Sequence, residues 1–248
     1  MIVSTVNSKG GVGKTTIAVH LADWLRLHGY EVVLVDCDAQ RLSSRWLGFA
    51  CPELNTVVLD TPVAIEARLP VLNDRYDAVI VDAPGGLGDI AGAILGQTDA
   101  VFIPTGPSNL DIMALSWATT TVHEVQRLRG GLPQTVIIPV QARAGRRTTN
   151  NLIERAQQFG FGITESLLPY REIYAQVSGL DDRPPKLLWQ LGRSKRVRQA
   201  ALEMDALLQE IFPEACEGDP NRIARMVSTK HQPCIEVKGN DTRKVANG

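Results

Sequence analysis

The sequence predicts an α/β fold, a mostly parallel twisted sheet with helices on both faces. Two patterns carry this. Short β-branched runs such as VVLVD and AVIVD alternate with helical segments along the chain, the rhythm of a parallel sheet covered on both faces. A glycine-rich turn, KGGVGKTT, joins the first such run to the first helical pattern. The 248 residues are enough for one domain with a sizeable core.

Taken in order, Ile2–Val6 reads as a strand and Thr15–His28 as a helix. In that helix Ile17, Ala18, Leu21, Ala22 and Leu25 recur at helical spacing, and Gly29 supplies a stop. Val32–Asp36, Ala78–Asp82, Ala100–Pro104 and Thr135–Val140 read as further strands, with a short one near Thr164–Leu168. Ile90–Leu95, Met113–Leu128, Asn150–Phe159 and Val197–Ile211 read as helices. Residues 1–213 form a single predicted domain. Residues 214–248 turn polar and are expected to be a flexible tail, with a short helix at Asn221–Val227.

Composition narrows the function classes. A 44% apolar and 21% charged chain with net charge −1 has no global field directed at nucleic acid or membrane, so either affinity requires a local patch. Cys37, Cys51, Cys216 and Cys234 stand apart with no CxxC spacing, which reads as reduced cysteines without a zinc site. No apolar run reaches about 18 residues, the length a membrane helix needs. The start lacks the basic and apolar regions of a secretory signal, and a cytoplasmic protein is expected.

The chemistry starts at the glycine-rich turn. A strict G-x-x-x-x-G-K-[ST] loop would begin with glycine where this chain has Ser8, but Gly11-Val12-Gly13-Lys14-Thr15 is intact between a strand and a helix. Gly10, Gly11, Val12 and Gly13 let backbone N–H groups converge on phosphate oxygens at a helix N-terminus. Lys14 is expected to neutralise the β and γ phosphates, Thr15 to ligand Mg²⁺, and Thr16 to bond the α phosphate. Two strands end in carboxylates: Asp36 and Asp38 in VVLVDCDAQ, and Asp82 in AVIVDAPGG. Asp82 stands where a Walker B carboxylate holds Mg²⁺, and Gly85 and Gly86 give a mobile loop able to sense the γ phosphate.

KGGVGKTT, VDCDAQ and VDAPGG, in this order and spacing, resemble the ParA/MinD family of deviant Walker A ATPases. FIPTGPSNLDIMAL looks like the PSxxD segment of ParA-type members, through Pro107, Ser108 and Asp111. The likeness covers about residues 1–212 and is most specific in the first 115; chain length points to the small plasmid-type ParA partition proteins. It implies a P-loop NTPase fold, ATP and Mg²⁺ as cofactors, and an ATP-dependent sandwich homodimer. Lys9 matches the signature lysine that reaches the partner's nucleotide, and no group of its own chain is assigned to it. Lys14 and Thr15 match the P-loop lysine and Mg²⁺ ligand. Asp38 matches the carboxylate that helps place the attacking water beside the metal, and Asp82 the Walker B position. IIPVQAR lies where the family builds its adenine pocket, with Pro139 as a candidate. Where the family commonly reads D-x-D-P-Q, this chain has Ala39, which frees a backbone that proline would fix.

From Arg183 to Arg198 the chain carries Arg183, Lys186, Arg193, Lys195, Arg196 and Arg198 with no acid, and ARAGRR adds Arg143, Arg146 and Arg147. With the resemblance, Lys186, Arg193, Lys195, Arg196 and Arg198 imply non-specific DNA binding through phosphate contacts. A cargo-bound, ParB-like adaptor and a nucleoid-associated location follow from the family in the same way. A MinD-like membrane ATPase would need a C-terminal amphipathic helix, for which residues 221–248 offer only Ile223, Met226 and Val227. A ligase or metal-cluster reductase of related fold is the other class; a reductase would want paired cysteines, and Cys51 has no companion. A protein cargo such as carboxysomes would use the same machine as a plasmid. Trp24, Trp46, Trp117 and Trp189 are expected in packing, and His28 as a helix-end dipole partner.

Overall fold

The computed structural model describes residues 1–86, 88–179, 184–216 and 222–226. In chain order the elements are β1 (Ile2–Thr5), α1 (Lys14–Leu27), β2 (Val32–Asp36), α2 (Leu42–Ala50), β3 (Asn55–Val58), α3 (Pro62–Asn73), β4 (Ala78–Asp82) and α4 (Asp89–Gln97). There follow β5 (Ala100–Thr105), α5 (Asn109–Leu128), β6 (Gln134–Pro139), α6 (Arg147–Gln158), β7 (Gly162–Ile163), α7 (Glu172–Val177), α8 (Lys195–Ile211) and α9 (Arg222–Met226). Two 3₁₀ turns cover Leu188–Gln190 and Pro213–Cys216.

The seven strands pair in parallel in the order β3-β2-β4-β1-β5-β6-β7. Alternate side chains feed two cores, one per face. Val3, Leu34, Ile80 and Phe102 join α1, α2 and α8, while Val33, Val35, Val79, Val81 and Ile103 meet α3, α4 and α5. Two buried faces are why these strands read as nearly continuous apolar runs. The register sets Thr5 opposite Asp82, and Asp82 opposite Asp36. Three polar side chains therefore end together at the carboxyl edge of the central strands, where open parallel sheets bind ligands.

The structure departs from the sequence reading in three places. α2, β3, α3 and α7 were not expected; α7 has six residues, too few for a helical period to show. β3 is a four-residue edge strand with three exposed residues, and α3 carries Pro70 within it. An exposed edge lacks the apolar continuity that marks a strand, and an internal proline reads as a helix breaker. Thr61 caps α3 by accepting the Ala64 N–H, with Pro62 in the first turn. β7 lies at Gly162–Ile163, not Thr164–Leu168, because the Thr164 hydroxyl donates to the Ser166 carbonyl and turns the chain, leaving Leu168 a single bridge to Val140. The tail expected from residue 214 is packed in the part that is described: Ala215, Cys216 and Ile223 are buried in the core that α8 shares. Removing this apolar surface from water outweighs the polar composition around it. The remainder of the tail, with Cys234, and Arg183 lie outside the described residues. Among the described residues no helix is long and apolar enough to cross a membrane.

Candidate nucleotide-binding site

The loop between β1 and α1 takes the shape that its glycines allow. Gly11 and Gly13 sit at φ 73° and 89°, a left-handed backbone that costs other residues strain. Gly13 is the N-cap of α1, and the first turn contains no acid, so the helix dipole there is left for an anion. Lys14 is 7% exposed and curls back so that Nζ donates to the Lys9 carbonyl at 3.1 Å. Burial pulls its pKa below the ordinary lysine range, against the opposing charges of Asp82 and Asp38.

Asp82 is buried beneath this loop. Thr5 Oγ1 donates to its Oδ1 at 3.4 Å, and Oδ2 has no hydrogen-bond partner among the described residues. Burial raises its pKa to about 7, and the Asp36 charge adds to that; the Thr15 and Ser43 hydroxyls and Lys14 pull the other way. An orphaned buried carboxylate oxygen facing a threonine hydroxyl suits a divalent cation, which favours the ionised form. Two protein ligands with phosphate oxygens to complete the set is the habit of Mg²⁺. Thr15 and Asp82 would hold it, with Asp38 at the rim.

The two aspartates of β2 separate in role. Asp36 is fully buried, and its oxygens accept the Asp38 and Ser44 N–H groups at 3.1 and 2.8 Å, shaping the loop into α2. Asp38 opens onto the cavity and accepts the Gln40 N–H at 2.8 Å.

Lys9 does have a partner in its own chain. Its Nζ lies 2.5 Å from Asp111 Oδ1, 102 residues away. Asp111 sits at the third residue of α5 in a capping box with Ser108, whose hydroxyl also donates to it. Burial alone would raise the Asp111 pKa; the bonds from Lys9 and Ser108 bring it below the ordinary carboxylate range. Gly106 is required beneath: a Cβ there would come within 2.7 Å of Asp111 Oδ2.

A cavity of about 1270 Å³ joins Gly10 through Thr16 to Asp38 and Gly85. Pro139 is not part of its wall; it is buried and its carbonyl accepts the Leu168 N–H, so Val140 and Gln141 line the cavity instead. Gln141 holds φ 53° and its Nε2 donates to the Gly11 carbonyl at 3.3 Å. Sequence reasoning missed this residue, and it missed Arg45 and Phe49 on α2 and Tyr174 on α7, which also face the cavity. Lys186, Arg193, Lys195, Arg196 and Arg198 are exposed and do not line this cavity, although Pro185 beside Lys186 does; none of them makes an ion pair among the described residues. Trp24, Trp46 and Trp189 are buried, whereas Trp117 on α5 is 60% exposed.

The family model described as the CobQ/CobB/MinD/ParA nucleotide binding domain matches residues 3–233. The chain belongs to this family. It is 28% identical over 223 residues to the maintenance of carboxysome distribution protein A of Halothiobacillus neapolitanus, covering 85% of this chain and 96% of that protein. It is 31% identical over 165 residues to the chromosome-partitioning ATPase Soj of Treponema pallidum, covering 51% of this chain and 64% of that protein. The fold matches that of Cyanothece McdA in its ATP complex with a TM-score of 0.69 at 18% identity, over 85% of this chain and 95% of that one.

Proposed function

We propose that this family member is a ParA-type, Mg²⁺-dependent ATPase that dimerises on ATP, binds DNA without sequence preference and positions a cargo. Stimulation by a cargo-bound adaptor would release it from DNA. The observation that carries the reading is the pair of lysines on the phosphate loop. Lys14 is buried in its own cradle, while Lys9, with a side chain 38% exposed, pairs with Asp111. One subunit uses Lys14 and the loop N–H groups to bind the phosphates, and Lys9, once released from Asp111, is the cation offered to a second subunit's nucleotide. Bound Mg²⁺ would supply charge that offsets the phosphate charge during hydrolysis. Asp38, anchored through its loop, would orient the attacking water.

The five cations from Lys186 to Arg198, which have no ion-pair partner among the described residues, support a polyanion partner. Plasmid partition is the cargo role we favour, on the PSxxD segment. The end-to-end likeness to the Halothiobacillus protein favours a second reading, distribution of a protein assembly. Co-purification of an endogenous adaptor separates them, since one that binds a centromere-like DNA site selects the plasmid.

Lys14→Ala is expected to abolish nucleotide binding by calorimetry. Lys9→Ala should bind ATP within a few-fold of wild type yet fail to show stimulated turnover. Normal stimulated hydrolysis in the Lys9 variant would exclude the cross-subunit role.

A further inference from the structure

The cationic run is not anchored by the sheet. Between residues 184 and 194 the only regular structure is the 3₁₀ turn Leu188–Gln190, so hydrogen bonds from other elements fix where this segment lies. Trp46 Nε1 donates to the Lys186 carbonyl at 2.9 Å, and the Leu188 N–H donates to His20 Nε2 at 3.1 Å. Trp189 Nε1 donates to the Asp23 carboxylate at 2.8 Å, and Gln190 Nε2 to the Ala50 carbonyl at 2.7 Å. His20 and Asp23 belong to α1 and Trp46 and Ala50 to α2. These helices leave the phosphate loop and the Asp36–Asp38 loop respectively.

The centre of this linkage is fully closed. His20 is 0% exposed, with the rings of Trp46 and Trp189 edge-on at 5.8 and 5.2 Å. Its Nδ1 bonds the Thr16 carbonyl at 2.7 Å. Nδ1 is therefore the N–H donor and Nε2 the acceptor for Leu188, which fixes one neutral tautomer. Two hydrogen bonds thus lead from Thr16, a residue of the phosphate cradle, to the turn before the cationic helix. Beyond the run, Trp24 Nε1 of α1 donates to Asp205 farther along α8 at 2.9 Å. A closely packed interior passes on a shift of α1 instead of absorbing it.

We infer that His20, Asp23 and Trp189 form a coupling that ties the position of the Lys186–Arg198 run to the nucleotide state of the cradle. These are positioning residues: none need touch nucleotide or DNA. The DNA part of the inference rests on the proposed function; the movement of the segment does not.

Amide hydrogen exchange of the wild type, with and without AMPPNP and Mg²⁺, reads the movement directly. Amides of Leu187–Arg198 should gain protection on nucleotide binding beyond any gain in β3, and an unchanged segment would overturn the coupling. Trp189→Phe keeps an aromatic ring in the packing and removes the N–H donor together with part of the indole's volume. Its nucleotide affinity should match wild type, while the AMPPNP-dependent gain in affinity for random-sequence duplex DNA, by fluorescence anisotropy, should shrink about five-fold. An equal gain in variant and wild type would also overturn it. A wild type that binds no DNA in either nucleotide state counts against the proposed function, and hydrogen exchange then decides the coupling alone.

Discussion

Lys9 and Lys14 are five residues apart and meet opposite surroundings. Lys14 is buried with a backbone carbonyl as its partner, and Lys9 has a side chain 38% exposed against the carboxylate of Asp111. If Lys9 serves a second subunit, its pair with Asp111 must open first, so Asp111 competes with assembly. Asp111→Asn keeps an oxygen for the Ser108 cap and removes the ion pair. ATP-dependent dimers of this variant are expected at a several-fold lower protein concentration in sedimentation velocity, with folding stability reduced by about 1 kcal/mol. Unchanged assembly would show that the pair does not oppose it.

At the scale of elements, α1 joins the site to the rest of the fold, and His20 lies at its middle. Burial lowers the His20 pKa to about 4 from 6.5, against the Thr16 bond and the Asp23 charge that favour the protonated ring. The neutral ring is the native form. Its contribution to stability is complete above pH 6.5 and is lost as pH falls toward 4, by about 3 kcal/mol. Asp82 runs the opposite way, because its pKa is raised and its share is lost as pH rises toward 7. Comparing wild type with His20→Gln therefore isolates the histidine. The urea midpoint of the wild type should fall more steeply than that of the variant between pH 7 and 4.5. Parallel curves would place the pH dependence elsewhere.

For the molecule as a whole, net charge is −1, yet the cations from Lys186 to Arg198 stand on one segment without carboxylate partners among the described residues. A global charge balance conceals such a patch. Replacing Lys195, Arg196 and Arg198 by Glu should remove gel retardation of duplex DNA and leave ATP binding intact. In wild type the logarithm of affinity should fall with the logarithm of salt by about 0.9 per phosphate contact. Retardation equal to wild type in the triple variant would refute this surface.

Adjacent residues carried most of what was legible in the chain. The phosphate loop, the strand-end carboxylates and the alternation of strands and helices are local patterns, because a left-handed turn, a buried strand and an amphipathic helix each impose short-range rules on residue type. By itself the sequence determined the α/β class and a helix from Val197 to Ile211, which the structure begins two residues earlier at Lys195, behind Ser194, whose hydroxyl accepts the Val197 N–H. α2, β3 and α3 obey weaker rules at an exposed edge and were not legible. The Lys9–Asp111 pair joins residues 102 apart, and the His20–Leu188 link residues 168 apart. No spacing announces such contacts. Only the packing of α1 and α5 around a parallel sheet brings them together, and that packing decided that Lys14 is buried in the cradle while Lys9 pairs with Asp111.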